Sequence, residues 1–587
     1  GPASFLFGRS DPGGVINLVT KKPLNTPYHS ITQQVGSFNL YRTLWDLTGP
    51  VQVPVLPDGA VSYRFSGNYQ KGGQWVDFTQ TQNVFLAPAL TWNIGPATTL
   101  TVEAYYSRQD GRSNTGQPAI GMFPANIPVS RSFQEPYQPR DTIRTSQIAY
   151  YFRHAFDNDW AITNNFLAAR STLEAADMGN GDTLDAVTLD RSVLYQKLTG
   201  TVYSTNLNLT GSFYVLGAKN DILIGTDYYY QFFNYIFSLD GNFPINIYNP
   251  IYGTVPFFAF PSAAAKAWQG TADFTSFSSR NEKDLGVYAQ DSITLFDKLH
   301  VLIGGRYDLA DAHSSGGAPS FALASAQFGT RPIDHNQFFS PRLGLVFPPV
   351  PWLGFYGSDT KSFGPQNGFA TSGVNFPPQI AEGWEGGVKS QLLDGGLSAT
   401  LAFFDITKSN ILTLVPTAAD PLARRPLGLV RSQGAELDVL GKLTNELSVI
   451  ASYSHLDTKV IADNGGLLGK TPSNVAANSG SLFLAYEFAP GSELHGWRAG
   501  GGVYAVGQRW GDDLNTFILP AYVRLDAFAR YQTVIGPTRV SAQINVQNIA
   551  NTRFYPGTDI FYNFLSVRSG IFTGIPRAVT ASLRVEF

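Results

Sequence analysis

The residue types that carry out chemistry are few in this chain, and they do not gather. The seven histidines, at positions 29, 154, 300, 313, 335, 455 and 495, form no His-x-x-x-His or similar pair that would hold a metal. Cysteine is absent, which removes disulfides, thiolate nucleophiles and cysteine metal sites. No G-x-x-x-x-G-K-S/T phosphate loop is present, and the many glycines suit strand turns better than a dinucleotide site. Carboxylates such as Asp227, Glu382 and Glu436 are scattered, as lumen or loop charges would be, and do not form an acid/base pair. The chain reads as non-enzymatic, with no cofactor of its own. What it offers is contact surface: aromatics make up 13% of residues, with 42 Phe and 28 Tyr, and charged residues 14%, against about 25% in soluble domains. A net charge of -3 supplies no basic field for nucleic acid.

Mean hydropathy is -0.07 and no run of 18 apolar residues exists to form a spanning helix. Strands must therefore position whatever surface does the work. The last ten residues, AVTASLRVEF, place Val579, Ala581, Leu583, Val585 and Phe587 on one face and Thr580, Ser582, Arg584 and Glu586 on the other. Such alternation is commoner in a soluble sandwich, but a strand of roughly ten residues ending on an aromatic points towards a membrane-spanning barrel, so recurrence decides. Period-two segments fall at 30–36, 40–49, 60–70, 83–93, 99–108, 144–156, 160–171, 196–213, 220–234, 282–295 and 299–310. They continue at 337–347, 351–361, 380–391, 396–408, 429–441, 446–457, 477–489, 497–508, 519–531, 539–548 and 577–587. About 22 strands result, an even number of the kind used by bacterial outer-membrane barrels.

In VSYRFSGNYQ, Val61, Tyr63, Phe65 and Tyr69 alternate with Ser62, Arg64, Ser66, Asn68 and Gln70. An apolar exterior and a polar lumen would be the inverse of a soluble barrel. Arg306, Arg524 and Arg539 should point inward, since a charge facing lipid at the midplane destabilises by about 2–4 kcal/mol. Short turns at 157–159, 296–298 and 348–350 are expected on one side of the membrane. Long loops at 109–143, 172–195, 235–281, 311–336, 409–428 and 549–576 are expected on the other.

Residues 1–23, GPASFLFGRSDPGGVINLVTKKP, resemble the end of the plug domain of TonB-dependent receptors. The remaining chain is similar to ferrichrome-type siderophore receptors, in YRFSGNYQ, FLAPALTWN, GVYAQDSITLFDKLHVLIGGRYD, WEGGVKSQLLDGGLSATLAFFDITKSNIL, TPSNVAANSGSLFLAYEF and NVQNIANTRFY. The resemblance implies an all-β fold: the C-terminal end of a plug at 1–27, then a transmembrane antiparallel β-barrel of 22 strands at 28–587. It places the protein in the outer membrane of a Gram-negative bacterium. The TonB box and most of the plug would precede Gly1.

The function so implied is import of a ferric siderophore of hydroxamate type, which brings its own iron ligands, so that the protein recognises the outside of the chelate. Phe7, at the plug apex where such receptors typically carry Tyr, is one expected ligand contact. Met122 and Phe123 in TGQPAIGMFP, the aromatics of 235–281, and Trp510 in the loop 509–518 are others. Phe587 matches the aromatic C-terminus that serves as an assembly signal. Expected partners are the siderophore, TonB through upstream residues, outer-membrane lipid and the barrel assembly machinery, with a monomeric receptor. Cobalamin, haem, a nickel chelate or a glycan are alternative ligands, and a passive pore or surface adhesin is the alternative function.

Overall fold

Backbone groups in hydrocarbon must find partners within the protein, so a spanning sheet is stable only when its two edges meet. In the computed structural model they do. It describes residues 16–156, 159–255, 272, 274–315, 317–364, 376–414, 424–426, 428–463, 465–559 and 567–587. The barrel strands are β1 (Tyr28–Gly36), β2 (Leu40–Val51), β3 (Val61–Gly73), β4 (Gln80–Ile94), β5 (Thr98–Arg112), β6 (Asp141–Ala155), β7 (Ala161–Thr183) and β8 (Thr188–Val215). They continue through β9 (Ala218–Asp240), β10 (Phe274–Leu295), β11 (Leu299–Ser314), β12 (Asp334–Val350), β13 (Leu353–Gly364), β14 (Gln379–Leu392) and β15 (Leu397–Ser409). The circuit is completed by β16 (Leu429–Lys442), β17 (Leu447–Ala462), β18 (Asn478–Glu487), β19 (Trp497–Val506), β20 (Tyr522–Ile535), β21 (Thr538–Gln547) and β22 (Ala578–Glu586).

Each strand pairs antiparallel with its sequence neighbour, and β22 pairs with β1 from Gly36↔Thr580 to Ser30↔Glu586. Phe587 finishes the seam: its N–H donates to His29 O at 2.9 Å, His29 N–H returns a bond to Phe587 O at 3.0 Å, and the two rings lie 5.5 Å apart. All 22 expected segments have a counterpart.

The faces sort as the alternation requires. Ile31, Val35, Val579 and Leu583 are exposed on the outside. Ser62 and Arg64 are buried against the inside, where Arg64 holds Asp46. Arg306 is fully buried between Asp227 and Asp308, Arg524 pairs with Asp526, and Arg539 with Glu586, all on the lumen face. Tight connections use backbone that twists with the strands: Phe296 and Asp297 both have positive φ (53° and 56°), as a hairpin turn between twisted strands requires.

Several expected boundaries are corrected. The segment 172–195 is not a loop but the top of the β7–β8 hairpin, whose turn is only 184–187. Residues 175–181 and 191–196 are buried without interruption, because packing covers both faces of the sheet there. With no exposed face, no period of two is written into the sequence. The connections at 37–39, 74–79 and 184–187 are short although they lie on the long-loop side. Pro348–Val350 belongs to β12, with the turn at 351–352, while the turn expected at 157–159 lies largely outside the described residues. A helix, α1 (Phe321–Thr330), sits in the connection expected to be loop; Ser320 caps it, its side chain accepting from Leu323 N at 3.2 Å.

The face assignment has a direct test. Leu583→Lys places a charge against lipid and should destabilise the barrel by about 2 kcal/mol, whereas Ser582→Lys places it in the lumen with little effect. Urea unfolding followed by heat-modifiable gel mobility measures both, and equal losses would contradict the assignment.

Candidate functional site

The packed apolar core lies above the membrane, in the connections, and it brings distant pieces of the chain together. In the β5–β6 connection, Ala119–Ile120 pairs with Phe123–Pro124 around Gly121, whose positive φ of 62° suits the tight turn. In the β19–β20 connection, Arg509–Trp510 pairs with Ile518–Leu519. Ile518 N–H donates to Met122 O at 2.9 Å, so the two hairpins are joined by their backbones. The β21–β22 connection adds Gly557–Thr558 paired with Ile571–Phe572, and Ile571 exchanges two backbone hydrogen bonds with Gln117 at 2.8 and 3.0 Å. Ala119, Phe517, Leu519, Tyr555 and Ile571 form the apolar cluster beneath this junction.

Arg568 binds across it. Its guanidinium donates to Gly121 O at 2.5 Å and to Thr516 Oγ1 at 2.7 Å, and lies 5.4 Å from the centroid of the Phe517 ring. On the other flank Arg553 donates to Ile127 O at 2.6 Å and Ala125 O at 3.2 Å. Asn180, fully buried at the top of β7, donates to Thr115 O, Gly116 O and Ser569 O. Gly116 has a φ of +87°, and a Cβ there would meet the Gly570 carbonyl carbon at 2.7 Å. Only glycine lets these two loops approach so closely.

A second cluster, Ala125, Ile127, Phe133, Leu189, Ile245 and Ile247, ties the same β5–β6 connection to the β7–β8 hairpin and the β9–β10 connection. At its centre Arg191 and Glu135, both fully buried, pair at 3.1 Å. Arg191 also donates to Phe133 O and Phe243 O, and Glu135 accepts from Gly253 N at 2.8 Å. A buried ion pair holds only when such additional bonds replace lost water.

These clusters fix the predicted contact residues. Met122 and Phe123 stand 51% and 55% exposed on their hairpin. Trp510, on the hairpin bonded to theirs, lines a cavity of about 220 Å³ with Asp457, Thr458, Thr471, Gln508 and Arg509. Three residues separated by almost four hundred positions thus share one assembly at the barrel mouth. Phe7 lies outside the described residues, as do 256–271 of the aromatic loop. Of that loop's described part, Phe237 is buried and Tyr252 is bonded to Ser132 O at 2.7 Å, so both serve packing, while Tyr248 is 40% exposed. Arg568, Arg191, Glu135 and Asn180 were not singled out from sequence, since isolated polar residues in loops carry no periodic signal.

Below the mouth, residues 20–24 are held against the lumen wall. Thr20 donates to Glu103 at 2.7 Å, Lys21 pairs with Asp46 at 2.9 Å, Lys22 O accepts from Arg64 at 2.8 Å and Leu24 N donates to Thr48 at 2.9 Å. A lumen cavity of about 460 Å³ lies beside Thr20 and Lys21. No cluster of three or more metal-binding side chains occurs among the described residues.

Residues 91–549 match the family described as TonB dependent receptor-like, beta-barrel. The chain belongs to the TonB-dependent receptor family. It is 31% identical to the metal-pseudopaline receptor CntO of Pseudomonas aeruginosa, over all of this chain and 79% of that protein. It is 28% identical to the ferrioxamine B receptor of Salmonella typhimurium, over 94% of this chain and 75% of that one. Identity to the ferrichrome outer membrane transporter/phage receptor of Escherichia coli is 25%, over all of this chain and 78% of the relative. The crystal structure of the siderophore receptor PiuA from Acinetobacter baumannii superposes with a TM-score of 0.84 at 19% identity, covering all of this chain and 85% of that one, a likeness of fold. This TonB-dependent receptor is therefore an outer-membrane barrel of Gram-negative bacteria, and the relatives are named as receptors and transporters.

One feature of the cap titrates. Asp141 accepts from Ser113 Oγ at 2.6 Å and Ala176 N at 3.2 Å, and Asp177 accepts from Gln138 at 3.3 Å, so these carboxyls join the β5–β6 connection to the top of β6 and β7. Burial is the largest cause that pushes Asp141 up to about 6, and burial followed by the charge of Asp141 pushes Asp177 well above the ordinary range. Because the folded carboxyls hold their protons more tightly than unfolded ones, their contribution is complete below about pH 4 and is lost as pH rises through about 6. Hydrogen exchange of residues 113–140, corrected for intrinsic rates, should therefore show more opening at pH 7 than at pH 5, and Asp177→Asn should flatten the dependence. An unchanged profile in the variant would contradict this.

Proposed function

We propose that this receptor captures a ferric siderophore at the mouth of the barrel and passes it inward when its plug is rearranged by TonB. The observation that carries this reading is the joining of Met122, Phe123 and Trp510 on two hairpins fixed to one another by backbone bonds. Exposed apolar and aromatic groups on a rigid frame suit a bulky chelate whose metal is already wrapped by its own ligands. A hydroxamate ligand fits the similarity to the ferrioxamine B and ferrichrome proteins. A second reading, a metal-pseudopaline type of chelate, is favoured by the 31% identity to the receptor of that name.

On this reading residues 1–27 are the end of the plug, and the bonds from Thr20 to Leu24 anchor it to β2, β3 and β5. Phe7 contributes a ring from the plug apex, and Phe587 acts as the signal read by the barrel assembly machinery. A passive pore or adhesin is the competing function; it predicts no saturable chelate binding.

Tryptophan fluorescence of the intact receptor, titrated with ferrichrome, ferrioxamine B and metal-charged pseudopaline, tests the proposal. At least one chelate should bind saturably, and Trp510→Ala and Phe123→Ala should each weaken it about tenfold, the size expected for an aromatic contact at a binding site. Saturable binding untouched by either substitution would move the site elsewhere. No binding of any metal chelate would overturn the reading.

A further inference from the structure

Sulfur is scarce in this chain: it holds two methionines, Met122 and Met178, and no cysteine. Two-electron oxidants such as peroxides attack soft thioether sulfur where solvent can deliver them. The fold puts the two thioethers in opposite circumstances. Met178 is fully buried at the top of β7, in an apolar cluster with Val193 and Val255. Its N–H donates to Gln134 Oε1 at 2.8 Å and its carbonyl accepts from Gln134 Nε2 at 3.3 Å, so the residue is held from both sides. Met122 is 51% exposed at the tip of the hairpin in the β5–β6 connection.

Met122 cannot retreat from solvent by a shift of its backbone. Its own carbonyl accepts from Ile518 N–H at 2.9 Å, the carbonyl of Gly121 before it accepts from Arg568, and Phe123 after it pairs with Ile120. The hairpin tip is thereby fixed to the β19–β20 and β21–β22 connections. Phe123 stands exposed beside it, and Trp510 lies on the hairpin bonded to it. The single solvent-reachable sulfur of the protein therefore sits among the expected chelate contacts.

We infer that Met122 is an oxidation site, and that its conversion to methionine sulfoxide by hydrogen peroxide weakens capture of the chelate, an inference that rests on the function proposed above. In this step the Met122 sulfur attacks one peroxide oxygen. The O–O bond breaks, an S–O bond forms, and sulfur gives up two electrons to the peroxide. The departing hydroxide takes the proton of the transferred oxygen and leaves as water. The product replaces a soft apolar contact with a polar, chiral group. A sulfoxide oxygen covered by a bound ligand loses its water without gaining a donor, which opposes binding. Ferrous iron reduces peroxide to hydroxyl radical, so weaker capture under peroxide limits iron entry when iron does most damage.

The intact receptor in detergent micelles, treated with millimolar hydrogen peroxide and then digested, provides the test. Mass spectrometry reads the gain of one oxygen atom on the peptides that carry Met122 and Met178. Equilibrium dialysis of undigested samples measures binding of ferrichrome, ferrioxamine B and metal-charged pseudopaline. Met122 should oxidise about tenfold faster than Met178 or more, as exposure dictates. The chelate that binds the untreated receptor should then bind about fivefold more weakly, as loss of an apolar contact implies. Treatment with both methionine sulfoxide reductases, one for each sulfoxide epimer, should restore binding, which damage to the fold would not allow.

Met122→Leu should show the same affinity before and after peroxide, and Met178→Leu should stay as sensitive as the wild type. Heat-modifiable mobility identifies a variant that fails to fold, and the reductase experiment, made on the wild type, then decides. Oxidation of both methionines at similar rates, unchanged affinity of a fully oxidised receptor, or undiminished sensitivity of Met122→Leu would each overturn the inference. An untreated receptor that binds none of the three chelates overturns the proposed function and with it the effect on capture, while the peptide map still decides the oxidation site.

Discussion

Closure of the sheet is the constraint on which everything else rests. Inside hydrocarbon no water satisfies a free N–H or C=O, so β1 and β22 must find each other across more than five hundred residues. Once they do, the outside must be apolar and the lumen receives the polar side chains. Arginines such as Arg306 and Arg524 are then tolerated because they point inward and meet carboxylates there. Even the last residue takes part, since Phe587 and His29 exchange backbone bonds at the end of the seam.

A barrel of this kind cannot place its apolar core at its centre. The core moves to the cap, where four connections and one tall hairpin pack against each other. Rigidity follows from polar groups bonded among them: Arg191 with Glu135 and Asn180 with three carbonyls, all buried, and the half-buried Arg568 across two hairpins. Each is worth having only when fully bonded, because a half-satisfied buried polar group destabilises. That rigid frame holds Met122 and Phe123 exposed and Trp510 half-buried beside its cavity in fixed positions, and fixed positions are the condition for binding a preformed ligand without a large ordering penalty.

The strands were legible because lipid imposes a uniform rule on one face, and a rule of period two survives in the sequence wherever that face exists. It fades where the sheet leaves the membrane. Residues 175–181 and 191–195 are buried without interruption and read as loop, although they belong to the wall. Helix α1 escaped for a related reason: it buries a single residue, Ala324, and has no pronounced face. The expected contact residues came from family resemblance and from the aromatic content of the loops, and the structure joins three of them, Met122, Phe123 and Trp510. The residues that hold them together, Arg568 above all, depend on contacts between loops hundreds of positions apart, which no local pattern encodes.

The absence of cysteine makes closure directly measurable. Cysteines introduced at Gln34 and Ser582, partners across the seam, should form a disulfide on oxidation in the folded protein in outer membranes, seen as a changed mobility on a non-reducing gel. The offset pair Gln34 and Arg584 should not. Cross-linking of the offset pair in preference to the first would shift the seam, and no cross-link at either position would contradict a closed barrel sealed by β1 and β22.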